Sequence, residues 1–242
     1  MSHSQLMIPY LENVFTEMGL TFTDEQMELF AKYDDFLIDY NTKINLTRII
    51  DPREVAVKHF GDSLTLLTQD VLPQGASIAD VGTGAGFPGI PLAISRPDLQ
   101  ITLMDSLRKR IEFLRELIQA LGITNVTLVW GRAEELGQTP QYRDRFDIVI
   151  ARAVAPLRVL VELCLPLTKT NGVFLAMKGP KAEEEVEAAT NALKIIGGKL
   201  IGTRIVVLPL LKEMRTLVHI LKNRPTPREY PRKAGTPERQ PI

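Results

Sequence analysis

The residues with the clearest potential for chemistry form a glycine-rich run that begins with one acid. The run reads DVGTGAGFPG over residues 80–89, so Asp80 precedes Gly82, Gly84 and Gly86. Glycines let a backbone turn sharply and approach a ligand closely, and the carboxylate of Asp80 suits a ligand that carries an amino group. Such a turn between a strand and a helix is typical of the nucleotide crevice of doubly wound sheets. We therefore predict a small-molecule site here.

Two classes of cofactor fit this run. Gly84, Gly86 and Gly89 have the spacing of the dinucleotide fingerprint, which holds a pyrophosphate at a helix N-terminus. The spacing from Asp80 to Gly86 instead resembles the first motif of S-adenosylmethionine-dependent methyltransferases. The position of the run favours the second class, because the preceding strand ends just before Gly82. The carboxylate of Asp80 favours it too, because a carboxylate would repel a pyrophosphate. We predict S-adenosylmethionine, and a nicotinamide-dependent oxidoreductase stays as an alternative.

The helices and strands that position this run are predicted from sequence patterns, and the predicted type of secondary structure changes along the chain. Residues 1–75 show helical patterns only, with Asp24 as a candidate N-cap. From residue 76 strands alternate with helices, which predicts a mostly parallel sheet covered on both faces, and two final strands without a helix between them predict an antiparallel edge hairpin. Residues 223–242 hold five prolines and predict an irregular, mobile tail. The predicted strands are 77–81, 100–105, 126–131, 146–154, 172–178, 203–208 and 216–222, and the predicted helices include 24–40, 87–95, 107–121, 157–167 and 181–196.

Composition limits the class of protein. The chain has 242 residues, 45% of them hydrophobic, and no apolar run approaches the roughly 18–20 residues of a membrane span. A single cysteine, Cys164, cannot form an internal disulfide or build a zinc site alone, so we expect a reducing cytoplasm and no metal. The charges are uneven: residues 1–40 hold eight acids and one base, a net of −7, so the other 202 residues sum to +7. This asymmetry permits a polyanionic partner on one side.

Several segments together resemble one family. They are DVGTGAGFPGIPLA (80–93), NLTRIIDPREVAVKHFGDSL (45–64), GRAEE (131–135), IARAVAPL (150–157), AMKG (176–179) and YPRKAGTP (230–237). In combination they resemble RsmG, the family of bacterial 16S ribosomal RNA guanine-N7 methyltransferases. The resemblance implies a Rossmann-like class I methyltransferase fold with a seven-stranded sheet and a helical N-terminal extension. We therefore divide the chain into an extension (1–75), an S-adenosylmethionine-binding domain (76–222) and a basic tail (223–242).

The resemblance also implies site residues. Gly82 and Phe87 fall at cofactor positions of the first loop, and Arg152 falls beside the transferred methyl group. Ala133 and Glu134 fall at the position of the adenine. Asp105 ends the second strand 23 residues after Gly82, where an acid accepts hydrogen bonds from ribose hydroxyls. The full set of predicted cofactor-binding residues is Asp80, Gly82, Gly84, Gly86, Phe87, Asp105, Ser106, Ala133, Glu134 and Arg152, and the predicted catalytic residues are Arg152 and Lys178.

The predicted reaction needs no general base, because guanine N7 carries a free lone pair. The three histidines are scattered, and Cys164 lies in an apolar helical stretch without a preceding proline. We expect catalysis by positioning, a monomeric enzyme and a splayed-out guanine of 16S ribosomal RNA or the small ribosomal subunit as substrate. A small-molecule methyltransferase and a non-catalytic cofactor-binding protein remain alternatives. The predicted RNA-binding cations are Lys43, Arg48, Arg53, Lys58, Arg228, Arg232 and Lys233.

Overall fold

A computed structural model describes residues 1–242 and confirms the predicted class, a seven-stranded α/β sheet with helices on both faces. The strand order is β3-β2-β1-β4-β5-β7-β6, with β7 alone running antiparallel to both of its neighbours. The strands are β1 (Ser77–Val81), β2 (Gln100–Asp105), β3 (Val126–Trp130), β4 (Phe146–Arg152), β5 (Thr168–Lys178), β6 (Gly198–Val207) and β7 (Met214–Lys222).

The predicted helices 24–40, 87–95, 107–121 and 157–167 each correspond to a helix whose ends lie within about three residues of the predicted bounds. The helices are α1 (His3–Met18), α2 (Asp24–Asn41), α3 (Pro52–Glu54), α4 (Asp62–Leu64), α5 (Gly89–Ser95), α6 (Arg108–Leu121), α7 (Ala133–Leu136), α8 (Leu157–Cys164), α9 (Ala182–Ala188), α10 (Thr190–Ile196) and α11 (Thr236–Arg239). A π-helical segment (Val55–Gly61) joins α3 to α4, and a 3₁₀ segment (Thr65–Gln69) follows α4. No helix is long and apolar enough to cross a membrane.

Four local predictions are corrected. Thr23, and not Asp24, is the N-cap of α2, because its hydroxyl accepts from the Gln26 amide while the Gln26 side chain bonds back to the cap. The predicted helix 181–196 is divided at Ala189 into α9 and α10. The first strand of the predicted edge hairpin, β6, is longer than predicted and begins at Gly198. The tail is not free, because it packs against α7 and α8 and contains α11.

Alternate residues of the central strands supply two hydrophobic cores, one on each face of the sheet. In β1, Ile78 belongs to the core beneath α1, α2, α5 and α6, whereas Ala79 belongs to the core beneath α8 and α10. This alternation follows from the two-residue period of a strand. The N-terminal helices therefore share one continuous core with the sheet.

The N-terminal helices also contact the glycine run directly. Tyr33 of α2 is fully buried, and its hydroxyl donates to the carbonyl oxygen of Ala85 over 2.5 Å. Its ring stacks on Phe87 with centroids 4.9 Å apart, and Phe87 stacks in turn on His59 at 4.6 Å. The extension therefore fixes the outer side of the glycine run.

Replacement of Tyr33 by Phe tests this attachment. We expect Tyr33→Phe to lower the free energy of unfolding by about 1–3 kcal/mol, because a buried carbonyl loses its donor. Tyr40→Phe is the matched control, since the Tyr40 hydroxyl bonds Glu116 at an exposed position and should contribute less than ~1 kcal/mol. Urea denaturation measures both changes, and equal losses in the two variants would contradict the assigned role.

Candidate functional site

A crevice lies at the carboxyl edge of the sheet between β1 and β4. The chain proceeds from β1 towards β3 on one side and from β4 towards β5 on the other, so the connections diverge at this point. Such a switch point is where open α/β sheets bind ligands. The cavity has a volume of about 410 Å³. It is lined by the ends of β1 and β2, by the loops that follow each of the strands β1 to β4, by α8 and by the tail.

Asp80 shapes the glycine run from beneath. Its carboxylate is 1% exposed, and its Oδ2 atom accepts from the Thr83 hydroxyl over 2.7 Å and from the Gly89 amide over 2.9 Å. Burial raises the pKa of this carboxyl to about 6, against the lowering effect of those two hydrogen bonds. Asp80 does not line the cavity. The donors to Oδ2 are protein groups, whereas Oδ1 has no hydrogen-bond partner in the protein. The expected contact of Asp80 with an amino group of the ligand stays a prediction.

Gly82 is the glycine of the run that lines the cavity, next to Val81. Its φ is +71°, and a Cβ atom there would lie 2.6 Å from Cγ2 of Val154 in the loop after β4. Gly84 has a similar φ of +63° but open space around it. Gly86, at φ +99°, packs under Ile90 and Tyr33. All three positions therefore favour glycine for backbone reasons, and Gly82 also for the close approach of Val154.

Asp105 joins the first and second loops of the crevice. Its Oδ2 atom accepts from the Gly84 amide over 3.0 Å and from Arg110 over 3.2 Å, while Oδ1 accepts from the Leu107 amide over 2.9 Å. The side chain is 2% exposed but lines the cavity together with Ser106. A carboxylate offers about four acceptor positions, so one remains for a ligand hydroxyl.

Ala133 and Glu134 begin α7 and line the opposite part of the cavity. One oxygen of Glu134, Oε1, accepts from the amide of Gly235 in the tail over 2.8 Å. No protein donor reaches its second oxygen. The structure thus brings Gly82, Asp105, Ser106, Ala133 and Glu134 together around a single space.

Phe87, Arg152 and Lys178 lie outside the lining of the cavity. The Arg152 guanidinium lies over the Phe87 ring and donates to the Lys58 carbonyl and to Asp62, each over 3.0 Å. Lys178 is 7% exposed and donates to the carbonyl oxygen of Ala155 over 2.6 Å. Both cations therefore flank the loop after β4, whose residues 153–155 do line the cavity.

A second carboxylate fixes Lys178. Glu185 of α9 lies 2.7 Å from the Lys178 ammonium and also accepts from the backbone amide of Leu157, the first residue of α8. The loop between β4 and α8 is thereby fixed by hydrogen bonds at the Ala155 carbonyl and at the Leu157 amide. In this loop Ala153 adopts a φ of +54°, which is unusual for a residue other than glycine.

The predicted RNA-binding cations are dispersed and differ in exposure. Arg48, Arg228 and Lys233 are exposed. Lys58 is held between two carboxylates, Glu54 at 2.7 Å and Glu213 at 3.0 Å. The remaining three also have partners: Lys43 pairs with Asp39, Arg53 donates to the Leu210 carbonyl, and Arg232 pairs with Glu162.

Sequence reasoning missed several lining residues. Val154 follows β4 within the segment IARAVAPL, and Arg132 lies inside GRAEE, so both were within recognised motifs but were given no role. Pro237 and Glu238 line the cavity from the tail, a segment that had suggested RNA. No group of histidine, cysteine or acidic side chains in the molecule could hold a metal ion.

Alanine substitutions at Gly82 and Gly84 separate backbone strain from crowding. Both variants place a Cβ atom at positive φ, but only Gly82→Ala forces that atom against Val154. We expect Gly82→Ala to lose about 1–3 kcal/mol more unfolding free energy than Gly84→Ala. Denaturation without ligand measures the difference. The double variant Gly82→Ala/Val154→Ala should recover most of it, and a failure to recover would contradict the assigned contact.

Comparisons with known proteins show the family of this chain. The model of the GidB family, rRNA small subunit methyltransferase G, matches residues 26–208. A protein of Desulforamulus reducens named ribosomal RNA small subunit methyltransferase G is 49% identical over 96% of this chain and 97% of its own length. A protein of the same name from Lactobacillus helveticus is 54% identical, with 91% of this chain and 92% of the relative covered.

Solved structures share the fold at low sequence identity. A SAM-dependent methyltransferase from Aquifex aeolicus superposes with a TM-score of 0.52 at 20% identity, covering 71% of this chain and 94% of that one. A variant of a 16S rRNA (adenine(1408)-N(1))-methyltransferase from Catenulisporales acidiphilia gives a TM-score of 0.53 at 18% identity, covering 62% and 86%. With a family match over most of its length and relatives near 50% identity, the chain belongs to the GidB family of rRNA small subunit methyltransferases G.

Proposed function

We propose that this protein transfers a methyl group from S-adenosylmethionine to N7 of a guanine in a loop of 16S ribosomal RNA. The observation that carries the proposal is the crevice at the β1/β4 switch point, bounded by a glycine turn at Gly82 and by the carboxylates of Asp105 and Glu134. Membership of the GidB family supports the ribosomal substrate. The enzyme acts in the cytoplasm, where ribosomal RNA is found.

The residues of the crevice fit S-adenosylmethionine, which is cationic at its sulfonium and ammonium groups. Asp105 and Glu134 supply negative charge and hydrogen-bond acceptors, and Ser106 adds an exposed hydroxyl. Met104, Val159 and Leu163 supply apolar walls. We propose that the cofactor-binding residues are the lining members of the predicted set, while Asp80, Gly84, Gly86, Phe87 and Arg152 support them from behind.

A dinucleotide fits the same site poorly. In the fingerprint the backbone amides of the glycine run must face a pyrophosphate. Here the Gly89 amide donates to Asp80, and the Gly84 amide donates to Asp105, over 2.9 and 3.0 Å. A Cβ atom at Gly89 would meet Leu103 at 2.2 Å, so this glycine serves packing of α5 against the sheet. These contacts weigh against the nicotinamide-dependent alternative.

The chemistry follows from positioning. When bound, S-adenosylmethionine would supply an electrophilic methyl group to guanine N7 and leave as S-adenosylhomocysteine when its carbon–sulfur bond breaks, and N7 would lose no proton. Two buried groups near the glycine run are poorly suited to act as bases, because burial lowers the pKa of His59 to about 3 and raises the pKa of the Cys164 thiol far above its usual value. Asp80, whose pKa is raised to about 6, does not line the cavity. The protein therefore contributes orientation and exclusion of water.

Arg152 and Lys178 act as positioning residues in this proposal. Lys178 holds the Ala155 carbonyl, and Arg152 closes the other side of the loop by its contacts with Lys58 and Asp62. The loop between them carries Val154 over Gly82. Loss of either cation should therefore displace a wall of the crevice, without removing a group that touches the reacting atoms.

Arg152→Ala tests that role. We expect a loss of cofactor affinity of about tenfold or more together with slower methyl transfer, because the loop after β4 loses one support. Arg152→Lys keeps one donor and should fall between the alanine variant and the wild type in both readouts. Calorimetric titration measures binding and filter assays measure transfer. Wild-type values in both would show that Arg152 has no part in the site.

A basic surface beside the crevice is the proposed contact with RNA. A cavity of about 490 Å³ separates residues 42–46 from the start of α6, and its lining includes Lys43, Arg108 and Lys109. Trp130 is 59% exposed, and Arg108 lies over its ring at 5.7 Å. Cations that meet phosphates and an aromatic face for an unpaired base are typical of single-stranded RNA recognition. We propose that the other predicted cations also contact RNA. They are Arg48, Arg53, Lys58 and the tail cations Arg228, Arg232 and Lys233.

Charge reversal at the α6 end of this surface tests its role in RNA binding. Arg108→Glu/Lys109→Glu should weaken binding to 16S RNA fragments and lower the salt dependence by about one unit of slope for each phosphate that is no longer neutralised. The matched control Lys194→Glu/Lys199→Glu changes the same charge near the opposite end of the sheet, where both lysines are exposed. Equal effects of the two pairs would refute a specific surface. Activity without any RNA would favour the small-molecule alternative.

The complete reaction is tested on its natural substrate. Small ribosomal subunits and free 16S RNA from cells that lack this protein are incubated with the purified protein and tritiated S-adenosylmethionine. We expect label on a single guanine, with base analysis that identifies 7-methylguanine. Label on another atom or another base would contradict the assigned chemistry. Absence of label on both substrates would favour the alternative that this is a non-catalytic cofactor-binding protein.

A further inference from the structure

The C-terminal tail (residues 223–242) is attached by a buried ion pair. Glu162 of α8 is 1% exposed, and both of its carboxylate oxygens accept from the Arg232 guanidinium, over 2.7 to 3.2 Å. Glu162 also accepts from the backbone amide of Arg232 over 2.8 Å. A buried carboxylate without these donors would be costly, so the pair fixes both the side chain and the backbone of the tail at this point.

A second group of contacts holds the tail just before Arg232. Arg143 donates to the carbonyl oxygens of Tyr230 over 2.7 Å and of Thr226 over 2.9 Å. Gln138, immediately after α7, donates to the carbonyl of Pro231 over 2.8 Å. A Cβ atom at Gly137 would lie 2.9 Å from the ring of Pro231. The tail therefore follows a defined path across α7 and α8.

This path ends in the crevice. The Gly235 amide donates to Oε1 of Glu134 over 2.8 Å, and Gly235 adopts a φ of +78°. Pro237 is buried, and Pro237 and Glu238 line the same cavity as Ala133 and Glu134. Ala133 and Glu134 are the residues that the family resemblance places at the adenine of the cofactor. The tail thus reaches the cofactor crevice itself, beyond any role in contacting RNA.

We propose that residues 235–238 form the outer wall of the adenosyl end of the cofactor site and thereby determine cofactor affinity. The inference rests on the proposed function. Gly235 fixes the rotamer of Glu134 by occupying one of its oxygens, and Pro237 supplies an apolar surface that excludes water from this end of the crevice. The anchors at Glu162 and Arg143 keep this wall in place.

Truncation after Ala234 tests the proposal, because it removes the wall and keeps Arg232 with Glu162. Calorimetry measures the affinity for S-adenosylmethionine, for S-adenosylhomocysteine and for 5′-methylthioadenosine, which lacks the amino-acid part. We expect all three affinities to fall by a similar factor, about tenfold or more, which corresponds to ~1.4 kcal/mol. Unchanged affinities would overturn the proposal. So would weaker S-adenosylmethionine binding with unchanged 5′-methylthioadenosine binding, since that places the tail at the other end.

The matched control changes tail charge and leaves the wall intact. Arg224→Ala removes an exposed cation of the tail that does not line the cavity, so cofactor affinity should stay within about twofold of wild type. Should truncation lower the melting temperature of the free protein, Pro237→Gly provides the smaller change, and it should weaken the same three ligands together. Wild-type protein that fails to bind S-adenosylmethionine would refute the proposed function, whereas wild-type binding with an insensitive tail refutes only this inference.

Discussion

The buried carboxylate of Asp80 is the constraint on which the rest of the site depends. A carboxylate inside a core is unfavourable unless donors surround it. The glycine run supplies donors to one oxygen, because the Thr83 hydroxyl and the Gly89 amide converge on Oδ2 from opposite ends of the turn, whereas the buried Oδ1 has no hydrogen-bond partner in the protein. The turn and the acid therefore stabilise each other. Once the turn has this shape, Gly82 lies at the crevice, and the Gly84 amide reaches Asp105 at the end of the next strand.

The N-terminal helices complete this arrangement from the other side. Tyr33, Phe87 and His59 form a continuous stack in which the middle ring belongs to the glycine run. Arg152 lies over the same ring, so the stack also contacts the end of β4. The helices share a hydrophobic core with the sheet. Packing and stacking thus connect the extension to the loops after β1 and β4 that line the crevice, so a change in the extension should alter the shape of the crevice.

Much of the fold could be predicted from the sequence, because the signals are local. Each signal depends only on residues that are neighbours in the chain. The signals are the strand–helix alternation, Gly122 and Gly197 at helix ends, and the absence of a helix between the last two strands. The acid–glycine run located the crevice for the same reason. The contacts of Phe87 with His59, of Arg152 with Lys58 and of Lys178 with Ala155 could not be predicted, because these partners lie 23 to 94 residues apart in the chain. The path of the tail had one overlooked signal: Glu162 in an apolar helix needs a distant cation.

The position of Pro237 and Glu238 has a consequence for folding. The tail and α7 meet at the Gly235 amide and Glu134, which are 101 residues apart in the chain. A chain that has paired its strands and packed its first helices, but has not docked its tail, leaves the opening beside Glu134 uncovered. If residues 235–238 form the proposed wall, the crevice is completed by tail docking and not by assembly of the sheet alone.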